Sequence, residues 1–374
     1  MTFVTRSLNQ KSRGLFFTVV FTIFLTLAAE AQDVTIQNLQ RQGAQAFTSG
    51  DYDAAARYFR QALQRAETAR LSDTELVLAL ANLGEVLRVF GRYEEAERHF
   101  DHALRILRSS STVDRRNMPI LVANRGRLYQ ETGRYELSES SLKEALSLTE
   151  RELGPQHPHI AQVLSGLGLL YTSMDKDKQA EATFKKAMDF VGQQLGNEDS
   201  LMAPVLANLA ALYEKQGKWS RAEPLLLRAL RIGEGSFGPE HPDTAAILCN
   251  LGMSYYWQGN LVEAEKVLRR TLEIRRKVFG PESPAVALTS FGLAQVLTAQ
   301  KNYSEARLHY ASSLQVQEQS FGPRAPEVAT TLEQFAKLLH KMKSDHEAFA
   351  MEARAKSIRA EGQLTVNVAA IGRR

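Results

Sequence analysis

Residues 242–281 read PDTAAILCNLGMSYYWQGNLVEAEKVLRRTLEIRRKVFGP, and this stretch decides the fold. Thr244, Ala245, Ile247, Leu248, Leu251, Gly252 and Tyr255 recur at helical spacing. Gln258-Gly259-Asn260 ends that helix, because Gly enters the left-handed C-terminal turn without a Cβ clash. Val262, Ala264, Val267, Leu268, Leu272 and Ile274 then mark a second amphipathic helix, closed by Phe279-Gly280-Pro281. The unit is therefore a helix, a tight turn and a longer helix.

The unit recurs along the chain. Gly84, Gly126, Gly168, Ala210, Gly252, Ala294 and Ala336 stand 42 positions apart without slippage. On the same register lie Ala96, Ser138, Ala180, Ala222, Ala264, Ala306 and Ala348, followed seven residues later by Ala103, Ala145, Ala187, Ala229, Thr271, Ser313 and Ala355. An earlier unit carries Gly43, Gly50, Tyr52, Ala55 and Ala62, offset by 41. A fixed period of this length predicts stacked repeats, here eight, and the small residues predict close approach of the two helices in each pair. The junctions read Gly154-Pro155-Gln156-His157-Pro158, Gly238-Pro239-Glu240-His241-Pro242, Gly280-Pro281-Glu282-Ser283-Pro284 and Gly322-Pro323-Arg324-Ala325-Pro326. Gly stops one helix, and the second Pro starts the next, where its missing N–H costs nothing. Gly196-Asn197-Glu198-Asp199-Ser200 lacks both prolines but keeps Gly and supplies capping residues, so it is expected to turn as well.

The chain has 374 residues, a net charge of +4, 44% hydrophobic and 24% charged residues of mixed sign, and one cysteine, Cys249. Arg6, Lys11 and Arg13 precede an apolar run, Gly14 to Leu27, and then Ala28-Ala29-Glu30-Ala31, the pattern of an export signal cleaved after Ala31. The run is short for a membrane span, although an uncleaved anchor is the alternative. Removing residues 1–31 takes away Arg6, Lys11, Arg13 and Glu30 and lowers the net charge to +2. So even a charge balance advertises neither nucleic acid nor an anionic membrane as partner. One cysteine excludes an internal disulfide framework, and stability has to come from packing.

Residues 207–219, ANLAALYEKQGKW, and 222–230, AEPLLLRAL, resemble the tetratricopeptide repeat, in the 42-residue form found in kinesin light chains. The resemblance covers about residues 36–361 and leaves 362–374 as a tail. It implies an all-α, right-handed superhelical solenoid whose concave wall is lined by the first helix of each unit and holds a peptide or partner protein. Two departures predict weaker local packing: Arg125 where other units have Leu, and Met174-Asp175-Lys176-Asp177-Lys178 in place of a Gln-Gly-x-Tyr turn.

Counted from the small marker, wall positions are expected three before, one after, and four to five after it. In units two and three these hold Ala81, Glu85, Arg88, Val89, Ala123, Arg127, Gln130 and Glu131, a polar stretch. In unit six they hold Cys249, Met253, Tyr256 and Trp257, and unit seven adds Phe291, an apolar and aromatic stretch expected to anchor a partner. Two before the marker stand Asn82, Asn124, Asn208 and Asn250. The resemblance to kinesin light chains makes these asparagines candidates for bonding a partner's backbone, against the alternative that each bridges neighbouring helices.

Catalytic signatures are missing. The sequence shows no phosphate-binding loop, Gly-x-Ser-x-Gly or zinc-protease motif. His157 and His241 read as junction residues, and His99 and His102 have no third ligand at metal-site spacing. The sequence therefore predicts a non-catalytic scaffold without cofactor or metal, exported to the periplasm or outside the cell. It binds a peptide segment or protein in its groove. The alternative is a self-associating solenoid whose groove takes another copy or its own tail, Gln363 to Ile371.

Overall fold

The computed structural model describes residues 34–48, 51–69, 72–110 and 113–371, the last ten of these as backbone alone. The expected export signal and Gly50 lie outside them. Among the described residues there are sixteen α-helices and no strand. They pair as α1 (Val34–Thr48) with α2 (Tyr52–Thr68), α3 (Asp73–Val89) with α4 (Tyr93–Ser109), α5 (Met118–Glu131) with α6 (Tyr135–Glu152), and α7 (His159–Ser173) with α8 (Asp177–Gln194). Then come α9 (Met202–Lys215) with α10 (Trp219–Phe237), α11 (Pro242–Trp257) with α12 (Leu261–Phe279), α13 (Pro284–Ala299) with α14 (Tyr303–Phe321), and α15 (Pro326–Lys341) with α16 (Asp345–Ile371). Two compact units divide inside α10, between Ile232 and Gly233, and each is a stack of such pairs. Helix α16 runs past residue 361, where the repeat was expected to give way to a tail.

Each glycine marker faces a large apolar side chain sixteen residues later. A Cβ on Gly84 would lie 2.7 Å from the Phe100 ring, on Gly43 2.6 Å from Phe59, on Gly168 2.5 Å from Phe184, and on Gly252 2.7 Å from Leu268. The glycine is a notch in the first helix that receives the ring of the second, which is why the pair packs so closely. On the second helices Ala96, Ser138, Ala180, Ala222, Ala264, Ala306 and Ala348 are all completely buried.

The turn inside each pair demands a left-handed residue at one position. Gly91, Gly133, Gly217 and Gly259 fill it with φ between +70° and +82°, while Asp175, Lys301 and Lys343 fill it at +56°, +67° and +62°. The departure at Met174–Lys178 is thus a turn of the same shape made with a residue that pays a steric cost. The junctions between pairs use a second glycine, including Gly196 at +106°, and Asp199 accepts from the Leu201 N–H at 2.8 Å. That junction turns without its prolines. His157 and His241 each accept, through Nδ1, a backbone N–H two residues on, at 3.2 Å, so both cap helix starts. Arg125 is neutralised by Asp101 at 3.1 Å and lies over the Tyr129 ring at 5.8 Å.

Neighbouring pairs in the N-terminal unit are tied by a recurring bond. Tyr171 donates to Glu139 at 3.1 Å and Tyr213 to Glu181 at 2.9 Å, each across 32 residues, and Arg221 sits 4.0 Å from the Tyr213 ring. These tyrosines stand three after the marker, so the 42-residue period places hydrogen bonds as well as apolar surface.

Candidate functional site

In the N-terminal unit the wall positions of α3 and α5 form a charge network. The Glu85 carboxylate accepts from Arg88 Nε at 3.0 Å and Nη2 at 2.7 Å, and Arg88 reaches across to Glu131 on the next first helix. Arg127 lies 3.7 Å from the Glu85 carboxylate. The Glu85 and Arg88 side chains are only 3% and 5% exposed. Burial alone would raise the Glu85 carboxyl, but Arg88 and Arg127 hold it down at about 2. Burial lowers Arg127, and the like charge of Arg88 adds to this. The network is closed on itself, with two cations facing two carboxylates.

The asparagine positions divide. Asn82 donates to Gln40 Oε1 at 2.7 Å and bridges two first helices, the structural alternative weighed for it. Asn124 is half-buried, and Asn208 and Asn250 are buried with Oδ1 lacking a hydrogen-bond partner among the described residues. A buried amide is not positioned to meet a partner's backbone on an open surface.

In the C-terminal unit the aromatic stripe expected on the wall is corrected. Cys249, Met253 and Phe291 are buried at 2%, 7% and 7% exposure, inside one core cluster with Leu268 and Leu293. Phe291 packs edge-on against Tyr310 at 5.9 Å. A Cβ on Gly292 would meet the Met253 sulfur at 2.9 Å, so the missing side chain in unit seven makes room for the methionine of unit six. A first helix here touches its own second helix and the next first helix, and both of its apolar stripes are therefore covered. Trp257 alone stays open, 46% exposed, with Tyr256 beside it at 5.0 Å.

Tyr256 lines a cavity of about 390 Å³. Helix α13 contributes Gln295, Thr298 and Ala299, and helix α15 contributes Lys337, His340 and Lys341. Counted from their markers, these six occupy the positions one, four and five after it. Tyr256 stands at position four of α11, and Tyr310 and Gln334 complete the lining. Of the wall residues singled out in the sequence, Tyr256 lines this cavity, and its other first-helix positions are filled by residues not singled out. Neither Asp nor Glu is among the lining residues. His340 Nδ1 lies 2.6 Å from the Asp345 carboxylate and Nε2 3.3 Å from Glu352, and the bond to Asp345 raises the imidazole. Burial raises the Tyr256 hydroxyl. Among the described residues no group of three or more His, Cys, Asp or Glu is placed to hold a metal ion, and no helix is long and apolar enough to cross a membrane.

A family model described as tetratricopeptide repeat matches residues 34–109, 118–191, 201–256, 243–319 and 292–361. No curated protein matches the chain. A solved Rap protein complexed with competence and sporulation factor is 12% identical, with 89% of each chain covered and a TM-score of 0.64. A kinesin light chain from Podosopora anserina with nearly identical TPR-like repeats is 20% identical over 55% of this chain and 98% of its own, with a TM-score of 0.48. The likeness to the Rap protein is one of fold.

Proposed function

We propose that this chain, which belongs to the tetratricopeptide repeat family, is a protein-interaction scaffold that holds a partner segment on the first-helix wall of its C-terminal unit. The observation that carries this reading is the cavity whose lining falls on equivalent wall positions of α11, α13 and α15. Three successive repeats leave the same face open, and a partner running along the wall meets Trp257, Tyr256, Thr298 and Lys337 in turn. The Rap protein, with the same fold, was solved with a bound factor, which supports a recognition role for the architecture. The reading assigns no catalytic role: besides amides, lysines and hydroxyls the wall carries the His340 imidazole, and both of its ring nitrogens face carboxylates, Asp345 and Glu352, rather than a hydroxyl nucleophile. Residues 1–31 support export to the periplasm or exterior, with Gln32 as the first residue of the mature chain.

Affinity capture with the full chain and its Thr298→Arg variant tests the reading. The arginine fills the cavity from a half-buried wall position, so polypeptides retained by the parent should be lost while the melting midpoint stays within error. An identical retained set for both proteins, at equal stability, rejects this wall as the partner surface.

A further inference from the structure

Within each unit, a second helix presents one face to the pair that follows. The position thirteen after the marker bonds that pair: Glu97 accepts from Arg134 at 2.8 Å, Glu139 from Tyr171 at 3.1 Å, Glu181 from Tyr213 at 2.9 Å and Glu265 from Gln300 at 2.8 Å, and Arg307 donates to Glu347 at 2.9 Å. In the C-terminal unit the positions sixteen and twenty after the marker seat the next first helix on apolar side chains. They hold Leu268 and Leu272 in α12, and in α14 they hold Tyr310, stacked on Phe335 at 5.5 Å, and Leu314. Position twenty-three adds a polar tie forward, Arg275 donating to Thr289 at 2.8 Å and Gln317 accepting from Thr331 at 2.7 Å.

Helix α16 keeps the register and departs from this pattern. Position thirteen is Phe349, 61% exposed and touching only the edge of the fold, with the His340 ring at 5.2 Å. Positions sixteen and twenty are Glu352 and Lys356, both exposed. Arg359, at twenty-three, turns back to Glu333 and Thr330 of its own first helix, at 3.0 and 2.8 Å. The face is thus unlike the apolar seat that receives a first helix in the same unit, and it leaves a phenyl ring in water where the other pairs carry a bonded polar group.

Phe349, Ala353, Lys356 and Ala360 are exposed at intervals of four, three and four residues, the spacing that lines up one seam of a helix pair. Set antiparallel against a copy of itself, this seam is self-complementary. With a two-fold axis midway between Ala353 and Lys356, Phe349 lies opposite Ala360 of the second copy, a ring against a small residue as Phe100 meets Gly84, and Lys356 lies opposite Ala353. The Lys356 stem covers that alanine, and its ammonium reaches Glu352 beside it. One ring, two alanines, one acid and one base each find a match in the same set on the other helix, which is the requirement of a two-fold contact.

We infer that the exposed face of α16 is a homodimer contact, made by antiparallel pairing with α16 of a second copy of this chain. It uses none of the residues that line the cavity. Sedimentation of the full chain at rising concentration tests this. One helix pair is a small interface, so a reversible dimer with a Kd of about micromolar order is expected. Phe349→Asp should weaken it at least about tenfold, and so should Ala353→Arg, which sets bulk and a like charge against Lys356. Lys356→Glu opposes two carboxylates and should weaken it as well, whereas Glu352→Lys combined with Lys356→Glu restores opposite charges and the dimer. All four positions are exposed, so circular dichroism of each variant should match the parent. A chain that stays monomeric throughout, a dimer indifferent to Phe349→Asp and Ala353→Arg, or a charge swap that fails to restore association overturns the inference.

Discussion

The two units use the same positions of the repeat in opposite ways. In the N-terminal unit the residue one after the marker is Glu85 or Arg127, and the residue four after it is Arg88; these groups turn toward each other and close. In the C-terminal unit the corresponding residues are Gln295 and Lys337, then Thr298 and His340, and they open onto a cavity of about 390 Å³. Backbone geometry is common to both, so the difference lies in charge pairing. Buried opposite charges one repeat apart become glue between first helices, whereas unpaired charges of one sign stay solvated and available. A repeat array can thus devote one stretch of wall to cohesion and another to recognition without changing its period.

The sharpest way to break this comparison is to remove one charge from each wall. Arg88→Met strands Glu85 with only the more distant Arg127 and should cost about 3–5 kcal/mol in denaturant unfolding, while Lys337→Met, an exposed change, should stay within about 0.5 kcal/mol. Equal losses would show that the lysine is as structural as the arginine. Acid sharpens the same point. Because the folded Glu85 carboxyl is depressed to about 2, its contribution is complete above the usual carboxylate value of 4.5 and is lost as pH falls toward 2. Arg88→Met should remove most of that slope.

A second, smaller effect tests whether the difference stops at the wall. Gly84→Ala in one unit and Gly252→Ala in the other drive a Cβ to 2.7 Å from Phe100 and Leu268, and each should cost about 1–3 kcal/mol by thermal or denaturant unfolding. Similar losses keep the helix-pair contact common to both units. A negligible loss for Gly252→Ala would make the C-terminal unit looser inside as well as open outside. The smallest expected effect is a gain: Lys301→Gly relieves a left-handed lysine and should stabilise by about 0.5–1 kcal/mol, the steric relief partly offset by glycine's greater entropy when unfolded.

Most of the architecture was legible because it is written in spacing. The marker glycines, the Gly-Pro junctions and the capping residues each state a local backbone requirement, and each appears where the period puts it. The wall was legible as a set of positions but not as a set of residues. Helical periodicity shows that α11 has two apolar stripes, Leu248 with Leu251 and Cys249 with Met253, and cannot tell that the neighbouring first helix covers the second stripe. The clue was present in Gly292, whose missing side chain makes room for the Met253 sulfur 39 residues earlier. The cavity itself joins Tyr256 to Lys337 and Lys341, more than 80 residues apart in the chain and individually ordinary. Only the fold brings them to one place.

The pairing of each glycine notch with a Phe or Leu side chain sixteen residues later decides where the chain tolerates a change of length. One residue added between Gly84 and Phe100 would turn the second helix by about 100° relative to its partner and carry the ring away from its glycine. The connections between pairs bear no such constraint, since the next pair brings its own notch and ring. The single slip of the period, 41 residues in place of 42, falls between Ala62 and Gly84, at such a connection, and leaves the sixteen-residue spacings of Gly43 to Phe59 and Gly84 to Phe100 untouched. Insertions, epitope tags and labels therefore belong after the second helix of a pair and never inside its turn.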